Sequence, residues 1–189
     1  MSLTEVFRSI TAALDQAGIA YMLTGSFASA YHGAPRSTQD IDLVIQATPA
    51  QLAAFVNSLP RERYYADLET ALEAHRRESM FNLIDLVGGW KIDLMICKSR
   101  AFSQEEFGRR QRVDLQGLAI FVASVEDIVI AKLEWAKVAA SQRQVEDVSA
   151  ILKLRREGRE GLDHSYLKKW IGELGLTQEW NTAMREAGK

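Results

Sequence analysis

The sequence predicts an α/β (α+β) fold, with a mixed β-sheet flanked by helices over residues 1–123 and a C-terminal helical lobe over residues 124–189. Three observations carry this. A short apolar run from Ala20 to Thr24 meets a Gly25-Ser26 turn and then a helical segment, the order of a strand feeding a helix. Two β-like runs, Met80 to Val87 and Lys91 to Cys97, flank Gly88-Gly89 and read as an antiparallel hairpin. Beyond Ser124 the apolar spacing becomes helical throughout.

Each element has its own local reason. Leu3, Val6, Phe7, Ile10, Ala13, Leu14 and Ala17 fall at helical spacing, and Gly18 supplies the stop. Phe27 to Tyr31 continues as a helix closed by Gly33, and Pro35 breaks the chain. Asp40 to Ile45 alternates charged and apolar residues as a strand with one polar face does. Thr48 with Pro49 opens a further helix. Between Arg61 and Ser79 only Asp67 to Ala74 carries a helical pattern. Ser103 with Glu106 has the spacing of a capping box, and Arg112 to Leu115 with Leu118 to Val122 read as a hairpin around Gly117. Ser124 caps a helix over Val125 to Val138, Gln142 to Arg156 forms the next, and Ser165 to Leu174 and Gln178 to Arg185 form two shorter ones. Gly158 to Gly161 is the one linker-like break in the lobe.

Composition narrows the class. Hydrophobic residues at 47% and charged residues at 25% suit a folded globular chain of 189 residues rather than a disordered one. A net charge of -2 and a pI near 6.0 remove the simplest electrostatic case for coating nucleic acid or an anionic membrane, although a local basic groove stays compatible. The single cysteine, Cys97, cannot form an internal disulfide and sits in an apolar run, where a buried thiol in a reducing compartment is expected. No secretory signal and no run of roughly 20 apolar residues is present, so a cytoplasmic protein with no membrane partner is expected.

The chemistry concentrates in a few acidic positions. On a strand, Asp40-Ile41-Asp42 puts two carboxylates on one face while Ile41 packs on the other. Adjacent carboxylates repel, and hard cations such as Mg²⁺, which prefer carboxylate and phosphate oxygens, relieve that repulsion. The bland counterpart is an exposed strand face. Asp93 lies among Ile92, Leu94, Met95 and Ile96, where a lone carboxylate is costly and needs a partner. That partner is either a shared metal ion or Lys91, unless the strand is an exposed edge. At Gly25-Ser26 the backbone has room to approach phosphate oxygens, with Ser26 as a simple helix cap for the alternative.

Taken in order, Gly25-Ser26, then Arg36-x-Thr38-x-Asp40-x-Asp42, then Asp93 in an apolar strand resembles the signature of the polymerase-β-like nucleotidyltransferase superfamily. Within it, Gly25 to Asp42 with Gly33 and Arg36-Ser37-Thr38 is most similar to the minimal nucleotidyltransferases related to AbiEii-type toxins of toxin-antitoxin and phage-defence systems. The resemblance spans about Met1 to Leu154 and is strongest over Tyr21 to Ile45. It implies a Mg²⁺-dependent transferase, with Mn²⁺ as the alternative ion, moving NMP from an NTP bound between core and lobe to a hydroxyl acceptor. Asp40, Asp42 and Asp93 would be the catalytic residues and would hold two metal ions. Gly25, Ser26, Arg36 and Thr38 would hold the nucleotide, joined by Lys132 and Asp147 from the lobe. The acceptor is a tRNA end, a protein or a small molecule, and the toxin-like relatives imply a cognate operon partner.

Alternatives stand beside these roles: a solvated loop residue for Arg36, a surface lysine for Lys132, and an Arg143 partner one helical turn back for Asp147. A non-catalytic nucleotide-binding or partner-binding scaffold of the same fold is the competing function. His32, His75 and His164 share no ligand spacing, which argues against zinc. Trp135, Trp170 and Trp180 fall on apolar helical faces, where core packing is expected.

Overall fold

A computed structural model of the chain describes residues 3–35, 37–115, 117–156 and 161–188. The chain divides into two compact units, one of residues 1–26 and 37–123 and the other of residues 27–36 and 124–189.

The first unit is built on a seven-stranded mixed sheet. Its strands are β1 (Ala20–Leu23), β2 (Asp40–Gln46), β3 (Tyr64–Tyr65), β4 (Met80–Asp85), β5 (Lys91–Ile96), β6 (Gln111–Leu115) and β7 (Leu118–Val122), in the order β3-β4-β5-β2-β1-β7-β6. The central pair, β2 and β5, is parallel, as is β1 with β7; the other neighbours are antiparallel. Ile41, Leu43 and Ile45 of β2 share a face with Ile92, Leu94 and Ile96 of β5, and all six are buried. Helices α1 (Leu3–Gln16), α3 (Pro49–Ser58) and α4 (Leu68–Arg76) bring Phe7, Ile10, Leu14, Leu52, Phe55, Ala71 and Ala74 into the same core. The burial period of two along β2 thus leaves Asp40 and Asp42 on the opposite face.

Local signals account for the helix ends. Thr48 and Gln51 form a reciprocal capping box with Pro49 at the first turn of α3, and Asp67 caps α4. Gly18, at φ +67°, closes α1. The spacing of Ser103 and Glu106 does not mark a helix start: α5 (Ala101–Gly108) begins two residues earlier, its N-cap Arg100 makes no side-chain cap, and Ser103 is buried within the helix. There its Oγ accepts a hydrogen bond from Arg100 Nε at 2.9 Å. The strand expected to reach Val87 ends at Asp85, because Gly89 N donates to Asp85 O and closes a turn over residues 86–89.

The remaining elements are α2 (Gly25–Tyr31), which runs across the division of the chain, and α6 (Val125–Ala139), α7 (Gln142–Arg156), α8 (His164–Glu173) and α9 (Thr177–Glu186) of the second unit. Ser124 caps α6, and the fully buried Asp127 carboxylate accepts from Ser124 Oγ at 2.6 Å and from Tyr166 OH at 2.5 Å, which ties α6 to α8. Trp170 is core, as expected, but Trp135 is 55% exposed. The buried stripe of α6 runs through Val129, Lys132, Leu133 and Ala136, and Trp135 falls with exposed Val138 on the other side. The linker-like stretch lies outside the described residues except for Gly161. No described helix is long and apolar enough to cross a membrane.

Two stability predictions follow from the second unit. Ala140 caps the C-terminus of α6 at φ +48°, a left-handed conformation that costs a Cβ-bearing residue about 1 kcal/mol. Ala140→Gly is therefore expected to raise the urea midpoint, by about 0.5–1 kcal/mol of stability. Lys132, 4% exposed, donates to Asp147 Oδ2 at 2.6 Å and Gln144 Oε1 at 3.1 Å, joining α6 to α7. Lys132→Met removes this charged donor from the largely buried Asp147 carboxylate and is expected to cost about 3 kcal/mol in the same titration.

Candidate active site

The acidic residues meet through strand register. In the parallel pairing of β2 with β5, Asp42 stands opposite Asp93 and Asp40 opposite Lys91, on adjacent strands about 4.8 Å apart. Residues two apart on a strand share a face, so Asp40, Asp42, Lys91 and Asp93 all point to the side away from the apolar core. Strand β5 has β4 on one flank and β2 on the other, so Asp93 is not an edge residue, and it is only 8% exposed.

Such burial demands partners, and Asp93 has two. Lys91 Nζ donates to its Oδ2 at 2.8 Å, and the side-chain amide of Asn82, directly opposite on β4, donates to its Oδ1. That hydrogen bond from Lys91 to Asp93 raises the affinity of the amine for its proton, and the charges of Asp93, Asp40 and Asp42 add to the effect against burial. All three carboxylates therefore act on one ammonium. Among the described residues, no group of three or more His, Cys, Asp or Glu stands ready-made as a metal cage. The carboxylate oxygens are donors suited to a hard divalent cation, and the positive charge that their proximity requires is supplied at Asp93 by Lys91.

Gly25, the first residue of α2, completes the acidic face just beyond β1. The strand pairing continues past Leu23, with Thr24 N donating to Asp42 O at 2.9 Å, and the next residue turns back against the Asp42 side chain. A Cβ placed on Gly25 would stand 2.0 Å from Asp42 Oδ2, and the backbone there has φ +62°. Only glycine meets both conditions. Ser26 follows, 3% exposed at the start of α2. Thr38 serves the opening of β2: its hydroxyl accepts from Asp40 N at 3.1 Å.

The other expected site residues are arranged differently. Lys132 and Asp147, in the second unit, are paired with each other, so neither the surface lysine nor the Arg143 partner describes them. Arg36 lies outside the described residues. Sequence reasoning missed Asn82, whose signal was available only through the register of the hairpin. Cys97 is buried, and burial pushes its thiol up to about 11, in keeping with an inert side chain.

Gly25→Ala is expected to cost at least about 1–2 kcal/mol by thermal or urea denaturation, from the left-handed backbone and the collision with Asp42 together. Asp42→Ala in the same chain should return part of that loss by removing the group struck, and equal losses with and without the Asp42 carboxylate would refute the contact.

No family model and no curated protein matches the chain. Solved structures do. The solution structure of the antibiotic-resistance factor ANT(2'')-Ia is similar at 15% identity, over 100% of this chain and 91% of that chain, with a TM-score of 0.51. The crystal structure of ANT(2'')-Ia in complex with adenylyl-2''-tobramycin matches at 16% identity over 97% and 96% of the two chains, also with a TM-score of 0.51. An antigenic nucleotidyltransferase-like protein from Paracoccidioides brasiliensis matches at 17% identity over 94% of this chain and 90% of that one, with a TM-score of 0.52. At such identities the common property is the architecture: the chain shares the fold of these solved structures, a nucleotidyltransferase-like protein among them.

Proposed function

We propose that the chain is a metal-dependent nucleotidyltransferase that moves NMP from an NTP to a hydroxyl acceptor. One observation carries this reading: Asp42 stands opposite Asp93 with Asp40 two residues along, three carboxylates on one face of the sheet beside a glycine that leaves room for Asp42. Such a cluster is costly for the fold and is explained by a use for its charge. The shared fold supports the class of reaction.

In this reading Asp40 and Asp42 hold both divalent ions and Asp93 completes the set. When bound, the ions neutralise the nucleotide phosphates and the charge that develops at the α-phosphorus. Asp93, next to the acceptor, orients the attacking hydroxyl and takes its proton. The acceptor oxygen bonds to the α-phosphorus as the bond to pyrophosphate breaks. Gly25 and Ser26 accommodate the outer phosphates, Thr38 keeps the start of β2 and therefore Asp40 in position, and Arg36, Lys132 and Asp147 contribute to nucleotide binding. ANT(2'')-Ia has been captured with adenylyl-2''-tobramycin, which makes a small hydroxyl-bearing molecule one candidate acceptor. The toxin-like motif makes a tRNA end another and brings a cognate operon partner into consideration.

A specific observation favours the competing scaffold reading: Asp93 has both Lys91 and Asn82 for partners. Incubation with each labelled NTP and Mg²⁺, against total RNA, the neighbouring gene product and hydroxylated antibiotics, separates the two. Label transfer is expected from the parent chain and a loss of at least about a hundredfold from Asp42→Ala with folding retained. Equal labelling by both chains, or nucleotide binding with no transfer to any acceptor, refutes the enzyme.

A further inference from the structure

Lys91 has no assigned role in the chemistry above, yet it lies on the acidic face among the three carboxylates' neighbours. It stands opposite Asp40 on the neighbouring strand and donates to Asp93 Oδ2 at 2.8 Å. Its side chain is 42% exposed, whereas that of Asp93 is 11% exposed. The two partners of Asp93 are physically different. Asn82 offers a short, neutral amide from the opposite strand, which can stay where it is when a cation arrives. Lys91 offers a full positive charge on a flexible stem whose head already touches water, and that head can swing into solvent at small cost.

A divalent ion and an ammonium cannot share one carboxylate oxygen without strong repulsion. With Lys91 in place the three carboxylates and the ammonium sum to -2, and with Lys91 gone they sum to -3. The ammonium therefore opposes a metal ion twice, by blocking an oxygen and by diluting the charge that attracts it.

We propose that Lys91 is the resident counter-ion of the acidic face: it holds Asp93 in place while no metal is bound, and it must leave Oδ2 before a divalent ion takes that oxygen. Lys91 thereby sets the divalent-ion concentration at which the site fills. This rests on the metal-dependent reading of the same carboxylates, and the test separates the two.

The test is Mn²⁺ binding without nucleotide, followed by electron paramagnetic resonance of the free ion. Lys91→Met keeps the stem and removes the charge, so it is expected to tighten Mn²⁺ binding about tenfold, while Lys91→Arg stays near the parent value. In an Asp93→Asn background the gain from Lys91→Met should fall to less than about twofold, because the contested oxygen no longer belongs to a carboxylate. The unmodified chain gives a second readout that does not depend on a variant folding: acetylation of the Lys91 amine, followed by peptide mass spectrometry, should accelerate severalfold when Mn²⁺ is added. Unchanged or weaker Mn²⁺ binding by Lys91→Met, or an acetylation rate indifferent to Mn²⁺, overturns the proposal. Mn²⁺ binding that is also indifferent to Asp42→Asn overturns the metal reading itself, and with it this consequence.

Discussion

The parallel pairing of β2 with β5 is the constraint on which the rest of the fold depends. These strands occupy the middle of the sheet, and each has a two-residue period that is apolar on one side and carries its charged residues on the other. Central parallel strands are usually apolar on both faces, because helices cover both. Here Ile41, Leu43, Ile92 and Leu94 fill the helix-covered side, and the same alternation forces Asp40, Asp42 and Asp93 together on the other. A slip of one residue between the strands would drive a carboxylate in among the isoleucines. The apolar core thus fixes the register, and the register assembles the acidic face.

The cost of that face is met locally. Asn82 and Lys91 supply donors to Asp93, and Gly25 gives up a side chain where Asp42 needs the volume. Each comes from a different neighbour: Asn82 from β4, Lys91 from β5 itself and Gly25 from the start of α2, two residues beyond β1. The sheet order β4-β5-β2-β1 therefore does more than join strands, since it brings Asn82 and Lys91 to Asp93 and the close approach of Gly25 to Asp42.

Much of this was legible in the residues, and what was not has identifiable causes. Alternation fixed the faces of β2 and β5, Thr48 and Ser124 announced their helices as caps, and Asp93 in an apolar strand announced a need for partners. Asn82 was hidden by turn length. A two-residue turn at Gly88-Gly89 would set Ile84 opposite Asp93, whereas the observed turn over residues 86–89 sets Asn82 there. The shift is by two residues, which preserves the face but changes the neighbour. The two-residue β3 is too short to carry an alternating pattern, and Ser103 imitates a cap because spacing alone does not tell a helix start from a helix interior. Lys132 and Asp147 find each other across two helices, 15 positions apart, a pairing that no local rule reaches.

The two lysine-aspartate pairs show how similar geometry yields opposite physical behaviour. Lys132 to Asp147 spans 2.6 Å and Lys91 to Asp93 spans 2.8 Å, so the bonds themselves scarcely differ. Exposure differs greatly: the Lys132 side chain is 6% exposed and that of Lys91 is 42% exposed. Opening the first pair takes the charge partner from an ammonium that water barely reaches, which is costly. Opening the second returns an ammonium to water it already touches, and leaves behind a carboxylate that two further carboxylates make attractive to any cation. Solvent access to the lysine head, rather than bond length, separates a pair that fastens two helices from a pair that is free to yield to an incoming ion.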